Sequence, residues 1–137
     1  MLEKRSAIDG CVADLEMAQK TLYQISNGQG ASEEQIHKAA IHAKRLELKL
    51  AVAKLGQAEY YLSSLSARVD YLEARLSRDD MATKTEREEL IWAREALPIN
   101  KATVTRLTDE VELRKRELDE MLKQIDLNSL AASNTEL

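Results

Sequence analysis

The chain has 137 residues, a formal net charge of −4, 32% charged residues and only 4% aromatic residues. One domain is expected at this length, and a composition rich in Ala, Glu, Lys, Leu and Arg is typical of long helices with a thin core, not of an enzyme with a deep pocket. No block of the sequence has the excess of basic residues that nucleic-acid phosphates require, so nucleic acid is not expected as the principal partner.

The first predicted helix spans residues 2–26, because its apolar residues recur at helical spacing on a single face. Cys11 lies on this face, which predicts a buried thiol, and as the only cysteine it excludes an intrachain disulfide. Asn27-Gly28-Gln29-Gly30 predicts the helix end, because Gly and Asn tolerate the left-handed backbone of a C-cap. The apolar face consists of Ile8, Cys11, Leu15, Ala18, Leu22 and Ile25.

The second predicted helix spans residues 32–79 and begins with a capping box formed by Ser32 and Gln35. It carries two apolar stripes on different sides. The shorter stripe is expected to contact the first helix and consists of Ile36, Ala39, Ala43, Leu46, Leu50 and Ala53. The longer stripe recurs every seven residues, which keeps it facing one partner helix along its whole length. Its members are Ile41, Leu48, Leu55, Leu62, Val69 and Leu76.

The third predicted helix spans residues 84–126 and is capped by Thr83 or Thr85, each of which has a Glu three residues later. Pro98 lies within it and removes one helical hydrogen bond. The matching seven-residue series keeps its phase through this proline, which predicts one helix with a kink at residue 98. That series consists of Leu90, Leu97, Val104, Val111, Leu118 and Ile125.

Together these elements predict an all-α protein, an elongated antiparallel coiled-coil hairpin of the two long helices with a shorter N-terminal helix packed on the middle helix. Residues 1–126 are expected to form a single helical coiled-coil domain in which Leu76 pairs with Leu90 and Val69 with Leu97. Residues 127–137 are expected to form a flexible C-terminal tail. Through Thr135 and Leu137, this tail matches the termini that peptide-binding domains add to their sheets.

The sequence offers no residue set for catalysis, a cofactor or a metal, and we expect a protein that is not an enzyme. His37 and His42 are five residues apart, whereas metal ligands on one helical face are three or four apart. Four carboxylates near the predicted hairpin turn are expected on the surface, where no apolar wall adapts them to acid–base chemistry. These four carboxylates are Asp70, Glu73, Asp79 and Asp80.

The outer face of the second helix continues past Ala53 without an intrachain partner. On the third helix, Trp92 and Ile99 are expected to lie away from the heptad stripe, where amphipathic aromatic residues commonly anchor an interface. An exposed apolar strip of this kind predicts a homo-oligomer or a subunit of a helical complex. The predicted partner-binding residues are Tyr60, Ala67, Tyr71, Ala74, Trp92 and Ile99.

This architecture favours a non-enzymatic assembly, scaffolding or adaptor subunit that self-associates through coiled-coil contacts. The main alternative is a binding chaperone or export-stalk protein whose open stripe accepts a partner's amphipathic helix. A second alternative is a membrane-surface or nucleic-acid binder that uses the basic run between Lys38 and Lys54. The predicted hairpin places this run beside acidic residues of the third helix, which favours interhelical ion pairs instead. These acidic residues are Glu112, Glu117, Asp119 and Glu120.

The sequence also bears on location. No apolar run reaches the ~18–20 residues of a membrane span. Charged residues occupy the N-terminus where the apolar core of a signal peptide would lie. These features favour an intracellular, cytoplasmic protein without a membrane partner.

Overall fold

The structure, a computed structural model, describes residues 2–28, 30–78 and 82–135. Over these residues the secondary structure consists of three helices and contains no strand. The helices are α1 (Leu2–Asn27), α2 (Glu33–Arg78) and α3 (Lys84–Thr135). The predicted all-α class is confirmed.

The turn between α1 and α2 forms where the sequence supplies a helix stop followed by a helix start. The amide of Gly28 donates to the carbonyl of Ile25 at 3.3 Å. Gly30 has a φ of +98°, a left-handed conformation that favours glycine. The predicted capping box is confirmed, because the Ser32 amide donates to Gln35 Oε1 at 3.1 Å and the Gln35 amide donates to Ser32 Oγ at 3.2 Å.

Of the two predicted caps of α3, the structure uses Thr83 and not Thr85. The amide of Glu86 donates to Thr83 Oγ1 at 3.1 Å, and the amide of Thr83 donates to Glu86 Oε1 at 3.3 Å. These reciprocal bonds satisfy amides that the first helical turn leaves without partners. Asp79 and Asp80, which precede this cap, lie outside the described residues.

Helix α3 continues through Pro98 without interruption. Because proline has no amide hydrogen, the helical hydrogen bond to the carbonyl of Arg94 is missing. Close by, Asn100 ties its side chain to the helix, since its Nδ2 donates to the carbonyl of Ala96 at 2.8 Å. A continuous helix over this region agrees with the unbroken seven-residue phase of the sequence.

The C-terminal end of α3 differs from the prediction. The helix extends to Thr135, beyond the predicted end at residue 126. The physical reason is that this segment contains neither Gly nor Pro, and each added helical residue forms one further hydrogen bond without a new nucleation cost. Leu137, half of the predicted terminal contact, lies outside the described residues.

Contacts within the chain group its residues into two units, Met1–Ala53 with Glu110–Leu137, and Lys54–Asp109. The first unit contains α1, the beginning of α2 and the end of α3. Its buried side chains are small and, apart from Ala51, come from the predicted apolar stripes. The burial of Cys11 confirms the predicted buried thiol. The buried side chains are Cys11, Ala18, Ala43, Ala51 and Val111.

Four charged side chains join α2 to α3 within the first unit. Arg114 Nη1 lies 3.3 Å from Glu47 Oε2 and 3.0 Å from Glu117 Oε1. Lys44 Nζ lies 3.3 Å from the same Glu47 oxygen and 3.7 Å from Glu117 Oε2. Since the residue numbers rise along α2 as they fall along α3, the two segments run in opposite directions here.

The second unit has a core drawn from the seven-residue series of α2 and α3 and from the positions between them. Its buried members are Leu65, Val69, Leu72, Leu90 and Ala93, against which Leu76, Ala96 and Leu97 pack partly buried. Leu72 is the largest side chain that is fully buried among the described residues. The core therefore contains both members of the predicted pairs Leu76–Leu90 and Val69–Leu97.

Candidate protein-binding surface

All six residues predicted to bind a partner lie in the second unit, and all six are exposed. The four large ones leave more than half of their surface in solvent, namely 56% for Tyr60, 52% for Tyr71, 57% for Trp92 and 67% for Ile99. Exposed apolar surface of this kind commonly marks a site of protein interaction.

Tyr71 belongs to a group built around one ion pair between α2 and α3. Arg68 donates from Nε to Glu89 Oε1 at 2.7 Å and from Nη2 to Glu89 Oε2 at 3.0 Å, a bidentate arrangement that fixes the guanidinium plane. The guanidinium carbon lies 5.2 Å from the centroid of the Tyr71 ring, within the range of a cation–π interaction. Trp92 follows Glu89 by three residues and therefore lies on the same side of α3.

Hydrogen bonds keep the charges of this edge fixed. The bond from Arg68 lowers the pKa of Glu89 below its ordinary value, and the same bond raises the pKa of Arg68. The pKa of Glu86 is also lowered, first by the hydrogen bond from the Thr83 amide and then by the bond from Arg75. The edge beside Trp92 therefore carries charges of both signs at neutral pH.

The structure does not bring all six predicted residues together. Tyr71 and Ala74 line one shallow depression with Arg75 and Arg78. Ala67 instead lines a groove that also includes Lys101 and Val104 of α3. Ala67 precedes Tyr71 by four residues and lies on the same face of α2, but it lines a different groove.

Tyr61 was missed by the sequence-based selection and is 46% exposed. It precedes Arg68 by seven residues, so it lies on the same face of α2 two turns away. The predicted outer stripe runs through Tyr60, the neighbouring residue. The seven-residue spacing of Tyr61 and Arg68 is a signal that could have found it.

Of the four carboxylates expected on the surface, Asp70 and Glu73 lie within the described residues. Glu73 Oε1 accepts a hydrogen bond from Arg94 Nε at 3.1 Å, and Asp70 is exposed. These observations agree with their expected role as surface charges.

The basic run of α2 forms ion pairs within the chain. Lys38 Nζ lies 3.3 Å from Glu34 on the same helix, and Lys44 Nζ lies 3.7 Å from Glu117 of α3. The Lys44–Glu117 pair is of the interhelical kind predicted from the sequence. Lys49 belongs to none of the ion pairs among the described residues.

The first unit contains an open groove of about 780 Å³ between α2 and α3, which the sequence did not predict. Its wall is mainly apolar, although charged residues stand along it. The lining residues include Ala40, Leu113, Met121 and Ile125, with His37, Lys44 and Arg116 among the polar ones. Because Asn128 also contributes, the groove depends on a part of α3 beyond the predicted helix end.

His37 and His42 line different grooves, since His42 lies with Ala18 and Leu46 between α1 and α2. Within the described parts of the chain, no group of three or more His, Cys, Asp or Glu is arranged to hold a metal ion. No helix in those parts is long and apolar enough to cross a membrane. Comparison of the chain with models of protein families, with curated proteins and with solved structures found no match.

Proposed function

We propose that the chain is a non-enzymatic assembly protein, a scaffolding or adaptor subunit that self-associates and acts through coiled-coil contacts with protein partners in the cytoplasm. In this proposal, α2 and α3 form an antiparallel coiled-coil hairpin with α1 packed on α2. Two observations support the hairpin. The buried residues of the second unit occupy heptad positions, and the ion pairs Arg75–Glu86 and Glu73–Arg94 connect segments that run in opposite directions.

The observation that carries this proposal is the exposure of Tyr71 and Trp92 on a unit with a thin core. Trp and Tyr are the residue types most enriched at the energetic centres of protein interfaces, because they combine a large apolar area with a polar tip. Here both rings stand more than half in solvent at 52% and 57% exposure, beside a fixed ion pair that can form the polar rim of an interface.

The pKa shifts of Glu86 and Glu89 are those of ion-pairing groups. General acid–base chemistry at neutral pH requires a carboxyl group whose pKa is raised towards 7. Glu86 and Glu89 have pKa values shifted in the opposite direction by hydrogen bonds from Thr83 and Arg68. They are suited to ion pairing.

Replacement of Tyr71 by Glu tests the interface. The substitution places a charge where burial is proposed and leaves the core residues unchanged, so helicity by circular dichroism should persist while the mass by light scattering falls from oligomer to monomer. Tyr23→Glu is the matched control, because Tyr23 is 71% exposed on α1 and should leave the mass unchanged. A wild-type chain that is monomeric at tens of micromolar would overturn self-association.

The groove of the first unit favours a second candidate function, that of a binding chaperone or export-stalk protein. A mainly apolar groove with charged residues along it can accept the apolar face of an amphipathic helix. This reading expects a monomeric chain whose partner binding is blocked by Met121→Glu in the groove and is unaffected by Tyr71→Glu.

A further inference from the structure

We infer that the partner on the second unit is a second copy of this chain, packed with its helices in the same directions, so that Tyr71 of each copy contacts Trp92 of the other. This inference rests on the proposed function and adds the identity of the partner, the surface that it contacts and the orientation in which it binds. The contact surface, here called the aromatic strip, consists of Tyr61, Tyr71, Trp92 and Ile99.

The aromatic strip lies along one edge of the second unit. Tyr71 is held over Arg68, and Tyr61 is seven residues before Arg68 on the same face of α2. On α3, Trp92 lies three residues after Glu89, the partner of Arg68, and Ile99 lies two turns further along. To the edge that the Arg68–Glu89 pair marks, α2 thus contributes two aromatic rings, and α3 contributes one aromatic ring and one isoleucine.

Tyr71 and Trp92 lie at the same level of the helix pair. Two ion pairs establish this, Arg68–Glu89 and Glu73–Arg94. Tyr71 lies between Arg68 and Glu73 along α2, and Trp92 lies between Glu89 and Arg94 along α3. A partner placed at the same height therefore meets a ring on each helix.

Two orientations would place the strips of two copies face to face. If both copies point in the same direction, a two-fold axis parallel to the helices sets α2 of one copy against α3 of the other. If they point in opposite directions, the axis is perpendicular to the helices and sets α2 against α2. In a two-fold dimer each contact occurs twice, so the charges of the two helices decide between these orientations.

The charges along this edge favour α2 against α3. The α2 side is basic and carries Arg68, Arg75 and Arg78, whereas the first turns of α3 are acidic and carry Glu86, Glu88 and Glu89. Packing α2 against α2 would set basic residues near basic residues, which is unfavourable in an interface. Packing α2 against α3 sets opposite charges together and places Tyr71 against the partner's Trp92.

The aromatic strip supplies about half of the area per copy that a stable dimer buries. Aromatic side chains offer about 150–250 Å² each, and the four strip residues are between 46% and 67% exposed, so the strip supplies about 400 Å² per copy. A stable interface buries about 800 Å² per partner. The neighbouring arginine and glutamate stems and Ala96 lie beside the strip and supply further area.

Trp92 is the only tryptophan in the chain, so its fluorescence reports directly on the interface. On dilution of the full chain, the mass by light scattering should fall from dimer to monomer, and the emission of Trp92 should shift to the red over the same concentration range. Tyr71→Glu should be monomeric with red-shifted emission and unchanged helicity. Tyr23→Glu should behave as wild type, and Trp92→Glu provides a second variant should Tyr71→Glu lose helicity.

Orientation is tested by a nitroxide quencher on a copy without tryptophan. A chain with Cys11→Ala, Trp92→Phe and Ala74→Cys keeps Tyr71 and is labelled at residue 74, which lines the same depression as Tyr71. It is mixed in tenfold excess with wild type. The emission of Trp92 in the wild-type copy should fall at least twofold, and a label placed by Tyr23→Cys in the same background should leave it unchanged.

The outcomes separate this inference from the proposed function. A dimer that Tyr71→Glu dissociates, but whose Trp92 is not quenched by the label at residue 74, overturns the orientation and leaves the proposed function standing. A dimer that persists in both charged variants overturns the aromatic strip as its interface. A chain that stays monomeric, or that binds only a different protein, overturns a second copy as the occupant.

Discussion

Replacing Pro98 by Ala should stabilise the protein, because Pro98 lies inside α3 with helical residues on both sides. A proline within a helix costs about 3 kcal/mol through a missing hydrogen bond and a clash with the carbonyl four residues earlier, here that of Arg94. Pro98 is exposed, so the change to Ala loses little buried surface. Proline also restricts the unfolded chain, which offsets about 1 kcal/mol of the gain. We therefore expect a net stabilisation of about 2 kcal/mol.

Urea denaturation followed by circular dichroism measures this change at a fixed protein concentration, since self-association would shift the apparent stability. The midpoint should rise by about 1 M without a change in slope. Ala102→Pro is the matched control, one turn further along the exposed side of α3, and should lower stability by about 3 kcal/mol. A Pro98→Ala protein no more stable than wild type would refute the continuous helix.

Three further predictions concern the core and the charges. Leu72→Ala should lower the free energy of unfolding by about 2–5 kcal/mol in thermal or urea denaturation, because Leu72 is fully buried. Glu86 and Glu89 have pKa values below the ordinary value of 4.5, so their stabilisation is complete above that pH and is lost as the pH falls through the lowered values. The urea concentration at the unfolding midpoint should therefore decrease as the pH is lowered below about 4.5, and it should decrease less steeply with pH in Glu89→Gln. An equally steep pH dependence in the two proteins would contradict this. Lys49→Glu should change the free energy of unfolding by less than ~1 kcal/mol. If the wild type binds duplex DNA or anionic vesicles tightly and this substitution abolishes the binding, the assignment of the basic run to intrachain pairs is contradicted.

The core of the second unit could be predicted because one periodicity determines it. Leu65, Val69 and Leu72 on α2 occupy heptad positions, as do Leu90 and Ala93 on α3, and side chains at these positions face a neighbouring helix whatever the rest of the surface does. The start of α2 could be predicted for a similar reason, because its capping box is local and depends on two residues three apart, Ser32 and Gln35.

Features that depend on a choice between two similar local conformations, or on contacts between neighbouring helices, could not be predicted. Thr83 and Thr85 each have a Glu three residues later, so the sequence alone does not choose the cap. The end of α3 depends on whether propagation through polar residues 127–135 exceeds fraying, a difference of tenths of a kcal/mol per residue. Tyr61 lies on the face of Arg68, and the contact of Arg68 with Glu89, which places this face beside α3, depends on a lateral pairing of two helices.

The thin core of the second unit connects its stability with its proposed assembly. Leu72 is its largest fully buried side chain and Ala93 contributes only a methyl group, so burial inside the unit yields limited hydrophobic free energy. Tyr71 and Trp92 lie off the heptad positions and cannot reach this core. Their apolar surface stabilises the fold only when another chain covers it, and binding to the folded state alone adds to stability in proportion to the logarithm of partner concentration. A pair of helices with a small core and large exposed rings is what we expect of a subunit whose folding and association are coupled.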